Sequence, residues 1–176
     1  NFRTVIRWIQ RGHLRAFQLP GRGDNRVTAR DFLDFLRENN MPIPEELEPS
    51  EPRVLIVEDD KRMAQSMKRV LARRGFQTMI ALEGFLAGAL AMTFRPVVMT
   101  LDLKMPGLGG LEVLTGIRGN PELAGIKILV VSAMPQDQLD AALAAGADDV
   151  LEKPFANADL AAKVARLAGV KLTKGG

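Results

Sequence analysis

A chain of 176 residues has room for one large domain or two small ones. Its 47% hydrophobic and 26% charged residues can build a packed core under a soluble surface. No apolar run approaches the roughly 18 residues that span a bilayer, no secretory signal is visible, and the absence of cysteine excludes disulfides, thiolate chemistry and zinc–thiolate sites; together these predict a cytoplasmic protein without membrane contact.

The net charge of +3 conceals a segregated chain. Residues 1–40 hold eight arginines, no lysine and four acids. Within them, residues 3–11 read as a helix with Val5, Trp8 and Ile9 on an apolar stripe and Arg3, Arg7 and Arg11 recurring every fourth residue. Gly12 stops it, and His13, the single histidine, falls in the loop. A strand is predicted from Leu14 to Leu19, a turn over Pro20-Gly-Arg-Gly-Asp-Asn25, and a short return strand at Arg26-Val27. Thr28-Ala-Arg-Asp31 has the pattern of a capping box and opens a second helix carrying Phe32, Leu33, Phe35 and Leu36, ended by Asn39, Asn40 and Pro42. Residues 41–52 then hold four prolines, four glutamates and no base, which predicts a semi-extended linker and a domain boundary.

From Arg53 the pattern alternates between short β-branched runs and helical periodicity. Strands are predicted at Val54–Val57, Thr78–Ile80, Val97–Leu101, Ile126–Val131 and Val150-Leu151. The helix after the first strand presents Met63, Met67, Val70 and Leu71 and stops at Gly75; the later helices cover Phe85–Phe94, closed by Pro96, then Gly110–Ile117, Gln136–Ala145 and Ala158–Ala168. Five β-α units in succession predict an α/β fold: a five-stranded, parallel, doubly wound sheet. Ligands bind such sheets at the carboxyl ends of the strands. Glu58 and Asp59 follow the first strand, Asp102 the third, Ser132 the fourth and Lys153-Pro154 the fifth. Singly, each residue is ordinary: an acid pair in a solvated loop, a turn aspartate, a serine, a lysine. Jointly they gather at one sheet edge, and if the first and third strands are neighbours, three carboxylates converge. Their mutual repulsion raises their pKa values, and a hard divalent cation such as Mg²⁺ relieves it.

Val-Leu-Ile-Val-Glu-Asp-Asp60, Leu-Asp-Leu-Lys-Met-Pro-Gly107, Val-Val-Ser-Ala133 and Leu-Glu-Lys-Pro-Phe155 closely resemble the signature stretches of response-regulator receiver domains of two-component signalling, in order and over residues 53–170, with 171–176 as a tail. The resemblance implies a flavodoxin-like fold. It implies Mg²⁺ held by Glu58, Asp59, Asp102 and the backbone carbonyl of Lys104. Asp102 is then the phosphoacceptor, Ser132 a hydrogen-bond partner of the phosphoryl group and Lys153 its counter-charge, with a cis Lys153–Pro154 bond. The phosphoryl donor is a sensor histidine kinase or a small acyl phosphate. Such a protein is not an enzyme in the ordinary sense, although it catalyses its own phosphorylation and dephosphorylation. Two positions depart from the family pattern: Val150 stands where an aromatic residue commonly swings inward, and Gly109 where a polar helix cap is common. The flanking Lys104 and Met134 complete the surroundings, and the Lys104 side chain is expected to screen the acyl phosphate from water.

The N-terminal order of helix, hairpin and helix resembles winged helix-turn-helix domains of the excisionase and MerR groups. Thr4-Val-Ile-Arg-Trp-Ile-Gln-Arg-Gly12, Leu14-Arg-Ala-Phe17 and Arg26-Val-Thr-Ala-Arg-Asp-Phe-Leu33 carry this likeness. It makes residues 1–41 a partial motif lacking its first helix, and the start at Asn1 rather than Met suggests upstream residues. The resemblance implies DNA contacts by Arg3, Thr4, Arg7, Arg11, Arg22 and Arg26, with Trp8 as a core anchor. The resulting expectation is a phosphorylation-controlled, DNA-binding transcription regulator, with homodimerisation among the ways the signal could be read. The alternative is a signalling adaptor whose winged helix meets protein, and a third reading is a degenerate receiver used as a structural module.

Overall fold

The computed structural model describes residues 2–18, 23–43 and 51–171. The chain divides into two compact units, Asn1–Ser50 and Glu51–Gly176.

In the first unit, α1 (Phe2–Gln10) leads into an antiparallel pair, β1 (Phe17–Gln18) and β2 (Asn25–Arg26), and then α2 (Ala29–Glu38). The strands are shorter than the sequence predicts. The Leu14 N–H bonds to the Trp8 carbonyl at 3.2 Å, closing the end of α1, and its side chain is buried, so Leu14 cannot join the ladder. Leu19 lies outside the described residues. Val27 turns into the core instead of extending β2. That core is Leu14, Phe35 and Leu36, with Val5, Trp8, Ile9, Val27, Phe32 and Ile43 packed on it. Trp8 stacks at a tilt on Phe35, with centroids 4.9 Å apart. Thr28 caps α2 by accepting the Asp31 N–H at 3.0 Å.

The second unit contains β3 (Arg53–Val57), α3 (Lys61–Ala72), β4 (Gln77–Ala81), α4 (Gly84–Phe94), β5 (Val98–Leu101), α5 (Gly110–Gly119), β6 (Lys127–Ser132), α6 (Gln136–Ala144), β7 (Asp149–Glu152) and α7 (Asn157–Ala168). The strands form one parallel sheet in the order β4-β3-β5-β6-β7, a flavodoxin-like arrangement. Period-two alternation sorts the buried strand residues. Leu55, Val57, Met99 and Leu101 pack with Ala87 and Ala91 of α4, Leu114 of α5 and Leu139 of α6. Val54, Ile56 and Val98 face the other way, against Met67 and Leu71 of α3 and Leu160 and Val164 of α7. Burial on both faces explains why these strands read as continuous apolar runs. Element ends shift by a residue or two from expectation. Val97 is exposed and precedes β5, and α4 is closed not at Pro96 but by Arg95 in the left-handed region at φ 49°. The sheet order reverses at β3, which has β4 on one side and β5 on the other, so a crevice opens at the carboxyl ends of β3 and β5.

Candidate functional site

β3 and β5 are paired in register, Val57 opposite Leu101. The residues that follow them, Glu58 and Asp102, are therefore neighbours. The Asp102 N–H bonds back to the Val57 carbonyl at 3.0 Å, which continues the ladder and fixes the aspartate backbone. Glu58, Asp59 and Asp102 each offer one carboxylate oxygen to a common point, those atoms lying within 4.8 Å of one another. Glu58 and Asp102 are buried, whereas Asp59 is exposed.

Lys153, after β7, reaches across the strand ends. Its Nζ donates at 2.7 Å to Glu58 Oε2 and at 2.7 Å to Asp102 Oδ2. The peptide bond from Lys153 to Pro154 is cis. Ser132, fully buried at the end of β6, donates through Oγ to Asp102 Oδ1 at 2.6 Å, and the Lys104 backbone N–H donates to the same oxygen at 3.0 Å. Both oxygens of Asp102 are thus held. Burial would push the Lys153 pKa down, but hydrogen bonds and Coulombic attraction to Asp102 and Glu58 outweigh it, so the ammonium is held above its usual range. For Glu58, burial is the largest effect and pushes the pKa up. Lys153 opposes that rise, and the Asp102 charge adds to it.

The expected site residues fall into two groups. Glu58, Asp59, Asp102, Ser132 and Lys153, with the Lys104 backbone, come together at one edge. The Lys104 side chain is exposed, and Met134 is half-buried against the hydrophobic core. In the other unit, Arg3 and Arg7 lie exposed on α1, Arg11 exposed just after it and Arg26 exposed on β2, while Thr4 is half-buried. Arg22 lies outside the described residues.

Two contributors escaped the sequence reading. Gly110, the first residue of α5, lies against the end of β5. A Cβ there would sit 2.2 Å from the Asp102 carbonyl oxygen and 2.6 Å from Leu103 Cα. Its N–H bonds to the Leu103 carbonyl at 3.1 Å. A Pro/Gly loop signals a turn, but not which glycine meets another backbone. The second is Glu112, which accepts the Gly109 N–H at 2.8 Å and so supplies the cap that Gly109 lacks. The acid three residues past Gly109 was the available signal.

Three hard carboxylates at one point fit a small divalent cation. Comparison with known proteins agrees with the geometry. The sequence profile of the response regulator receiver domain matches residues 54–165. The transcriptional regulatory protein PrrA of Mycobacterium leprae is 39% identical over 118 residues, which cover 67% of this chain and 50% of PrrA. Response regulator MprA of Mycobacterium tuberculosis is 36% identical over 115 residues, covering 65% and 50%. The chain thus spans about half the length of the curated relatives it matches. Among solved structures, the signal receiver domain of a response regulator from Bermanella marisrubri superposes with a TM-score of 0.62 at 47% identity, covering 65% of this chain and 96% of that one. The signal receiver domain of a DNA-binding response regulator (merR) from Colwellia psychrerythraea superposes with 0.63 at 30%, covering 67% and 98%. With strand order, acidic cluster and family profile in agreement over residues 54–165, the chain belongs to the response regulator receiver family.

Proposed function

We propose that Asp102 accepts a phosphoryl group from a phosphohistidine on a sensor histidine kinase, and that this modification controls transcription through DNA binding by the N-terminal unit. The observation that carries the reading is the clamp on Asp102. Its carboxylate is held between a serine hydroxyl and a lysine ammonium, at 2.6 and 2.7 Å, beside two further carboxylates.

In the transfer, a carboxylate oxygen of Asp102 forms the new O–P bond as the P–N bond to the histidine breaks, and the imidazole keeps the bonding pair. Glu58, Asp59 and Asp102, with the Lys104 carbonyl, would hold Mg²⁺, which when bound offsets charge on the phosphoryl oxygens. Lys153 supplies a fixed ammonium against the same charge, and its raised pKa keeps it protonated at neutral pH. Ser132 donates to the carboxylate before transfer; its hydroxyl rotates to donate to the phosphoryl group afterwards. The added charge of about −1.5 to −2 biases the domain between two conformations. Hydrolysis of the mixed anhydride resets it. Exposed arginines on α1 and β2 support the DNA reading, as does the name of a transcriptional regulatory relative.

The test is Mg²⁺-dependent labelling by an acyl phosphate or a phosphorylated kinase. Wild type acquires acid-labile phosphate, and Asp102→Asn acquires none. Label retained by Asp102→Asn overturns the assignment.

A further inference from the structure

Helix α4 departs from the other helices of the receiver unit. From Gly84 to Phe94 it contains no charged residue, whereas α3, α5, α6 and α7 each carry at least two. Ala87, Ala91 and Phe94 supply its buried side. The opposite side is apolar as well. Phe85, Ala89 and Met92 recur at the i, i+4, i+7 spacing of one helical stripe, and Leu86 lies next to them. Phe85 is 79% exposed, and Leu86, Met92, Leu108 and Leu111 are 40–45% exposed. A single exposed leucine needs no explanation, but a contiguous apolar patch marks a surface that something covers.

The shape of this face indicates its occupant. Between α4 and α5 runs a groove of about 320 Å³, lined by Phe85, Gly88, Met92, Leu108 and Gly116. Gly88 and Gly116 keep it open, since a Cβ at either would meet nothing within 4 Å. A cavity of about 150 Å³ already holds benzene, so the groove has room for a phenyl ring. A protruding phenylalanine thus stands on the rim of a hole that could accept one. A knob beside a hole on one surface is self-complementary under two-fold rotation. Place two α4 helices antiparallel about an axis at Ala89, the small exposed residue at the middle of the stripe. Phe85 of each copy then faces the Met92 end of the groove in the other. The charges agree with this rotation. Glu83 is exposed at the amino end of α4 and Arg95 at its carboxyl end, six residues to either side of Ala89. Both suit the dipole of their own helix, and the rotation brings Glu83 of each copy to Arg95 of the other. The area is also sufficient. The five exposed side chains present roughly 400–500 Å² per copy, so two copies with a polar rim reach the approximately 1,000 Å² at which specific interfaces begin. A helix without lysine or arginine offers nothing to nucleic-acid phosphate.

We infer that two copies of this chain associate through α4 and the start of α5, antiparallel about a two-fold axis at Ala89, with each Phe85 seated in the groove of the other copy. The inference stands apart from the phosphoacceptor and DNA readings.

Sedimentation velocity of the full, unphosphorylated chain between about 1 and 100 μM tests it. Wild type is expected to pass from monomer to dimer within that range. Phe85→Glu should raise the dissociation constant at least about tenfold, as loss of a central aromatic anchor does. Leu143→Glu, at an exposed leucine of α6, should associate like wild type. Because the chain has no cysteine, Ala89→Cys supplies a single thiol at the proposed axis, where two copies lie close enough for a disulfide. Under mild oxidation it should form a covalent dimer, and Leu143→Cys should not. Wild type that stays monomeric overturns the inference and leaves the face to a different protein. Phe85→Glu associating like wild type overturns it, as does covalent dimer from Leu143→Cys but not from Ala89→Cys. All the substituted side chains are exposed, and circular dichroism verifies folding before association is compared.

Discussion

Gly110 shows how one missing side chain sets the position of Asp102, the proposed phosphoacceptor. The amino end of α5 comes so close to the end of β5 that a methyl group would overlap the Asp102 carbonyl and Leu103 Cα, both backbone. Backbone cannot swing aside as a flexible side chain can, so relief requires moving α5 or the Asp102 loop. Gly110→Ala is expected to destabilise the receiver by about 1–3 kcal/mol, the usual cost of forcing extra volume into a packed site. It should also lower the yield of acyl phosphate by shifting Asp102 relative to Ser132 and Lys153. Urea unfolding and phosphate labelling measure the two effects, and a variant matching wild type in both would show that the contact is easily relieved. The generic preference of helices for alanine predicts the opposite sign, so the experiment separates propensity from packing.

At the scale of elements, the segments joining α5, β6 and β7 are tied by charge. Arg118 of α5 donates to the carbonyls of Gly146, Ala124 and Ile126 and to Asp148 Oδ2. Asp148 also accepts from Lys127 Nζ and the Ile128 N–H, each at 2.8 Å. Partial burial would raise the Asp148 pKa, but the bonds to Lys127 and Ile128 and the Arg118 charge outweigh it and hold the pKa below its ordinary 3.8. A carboxylate with a lowered folded pKa contributes stability that is fully present above its unfolded value and is lost as pH falls through the folded value. Asp148→Asn is therefore expected to cost about 1–2 kcal/mol at neutral pH, discounted for partial solvent exposure. The difference from wild type should shrink in acid, as pH falls below 3.8 and through the lowered folded value. Urea unfolding at both pH values checks this, and a pH-independent difference would mean that lost packing or hydrogen-bond geometry, not charge, is responsible. Arg118, Asp148 and their carbonyl partners are 30 residues apart or less but follow no local period, so nothing in the sequence announced them. The alternation of apolar runs, by contrast, made five β-α units legible, because β3, β5 and β6 are buried on both faces and the edge strands β4 and β7 in part. The strand-end positions of Glu58, Asp102, Ser132 and Lys153 were legible for the same reason. That Lys153 bridges Glu58 and Asp102 was not, because it depends on the order of strands in the sheet and on the reach of a side chain.

At the scale of the whole molecule, the two units are unequal in what they bury. The receiver has two extensive cores, one on each side of its sheet. Among its described residues, the N-terminal unit has Leu14, Phe35 and Leu36 buried and six partly buried neighbours. Units of about 40 residues are marginal without disulfides, metals or partners, and this chain has no cysteine. The smaller unit should therefore unfold first. Trp8 is the single tryptophan and lies in that core against Phe35, so its fluorescence reports the N-terminal unit alone, while far-ultraviolet circular dichroism is dominated by the helices of the receiver. In a urea titration the Trp8 transition is expected at lower denaturant than the dichroism transition; coincident transitions would mean that the chain unfolds as one cooperative body. A ligand that binds only the folded form stabilises it in proportion to the logarithm of its concentration over Kd. Added duplex DNA should therefore move the Trp8 transition upward toward the receiver's. If saturating DNA leaves the Trp8 transition in place while binding is observed by another signal, the contact is made by the receiver and not by the arginines of α1.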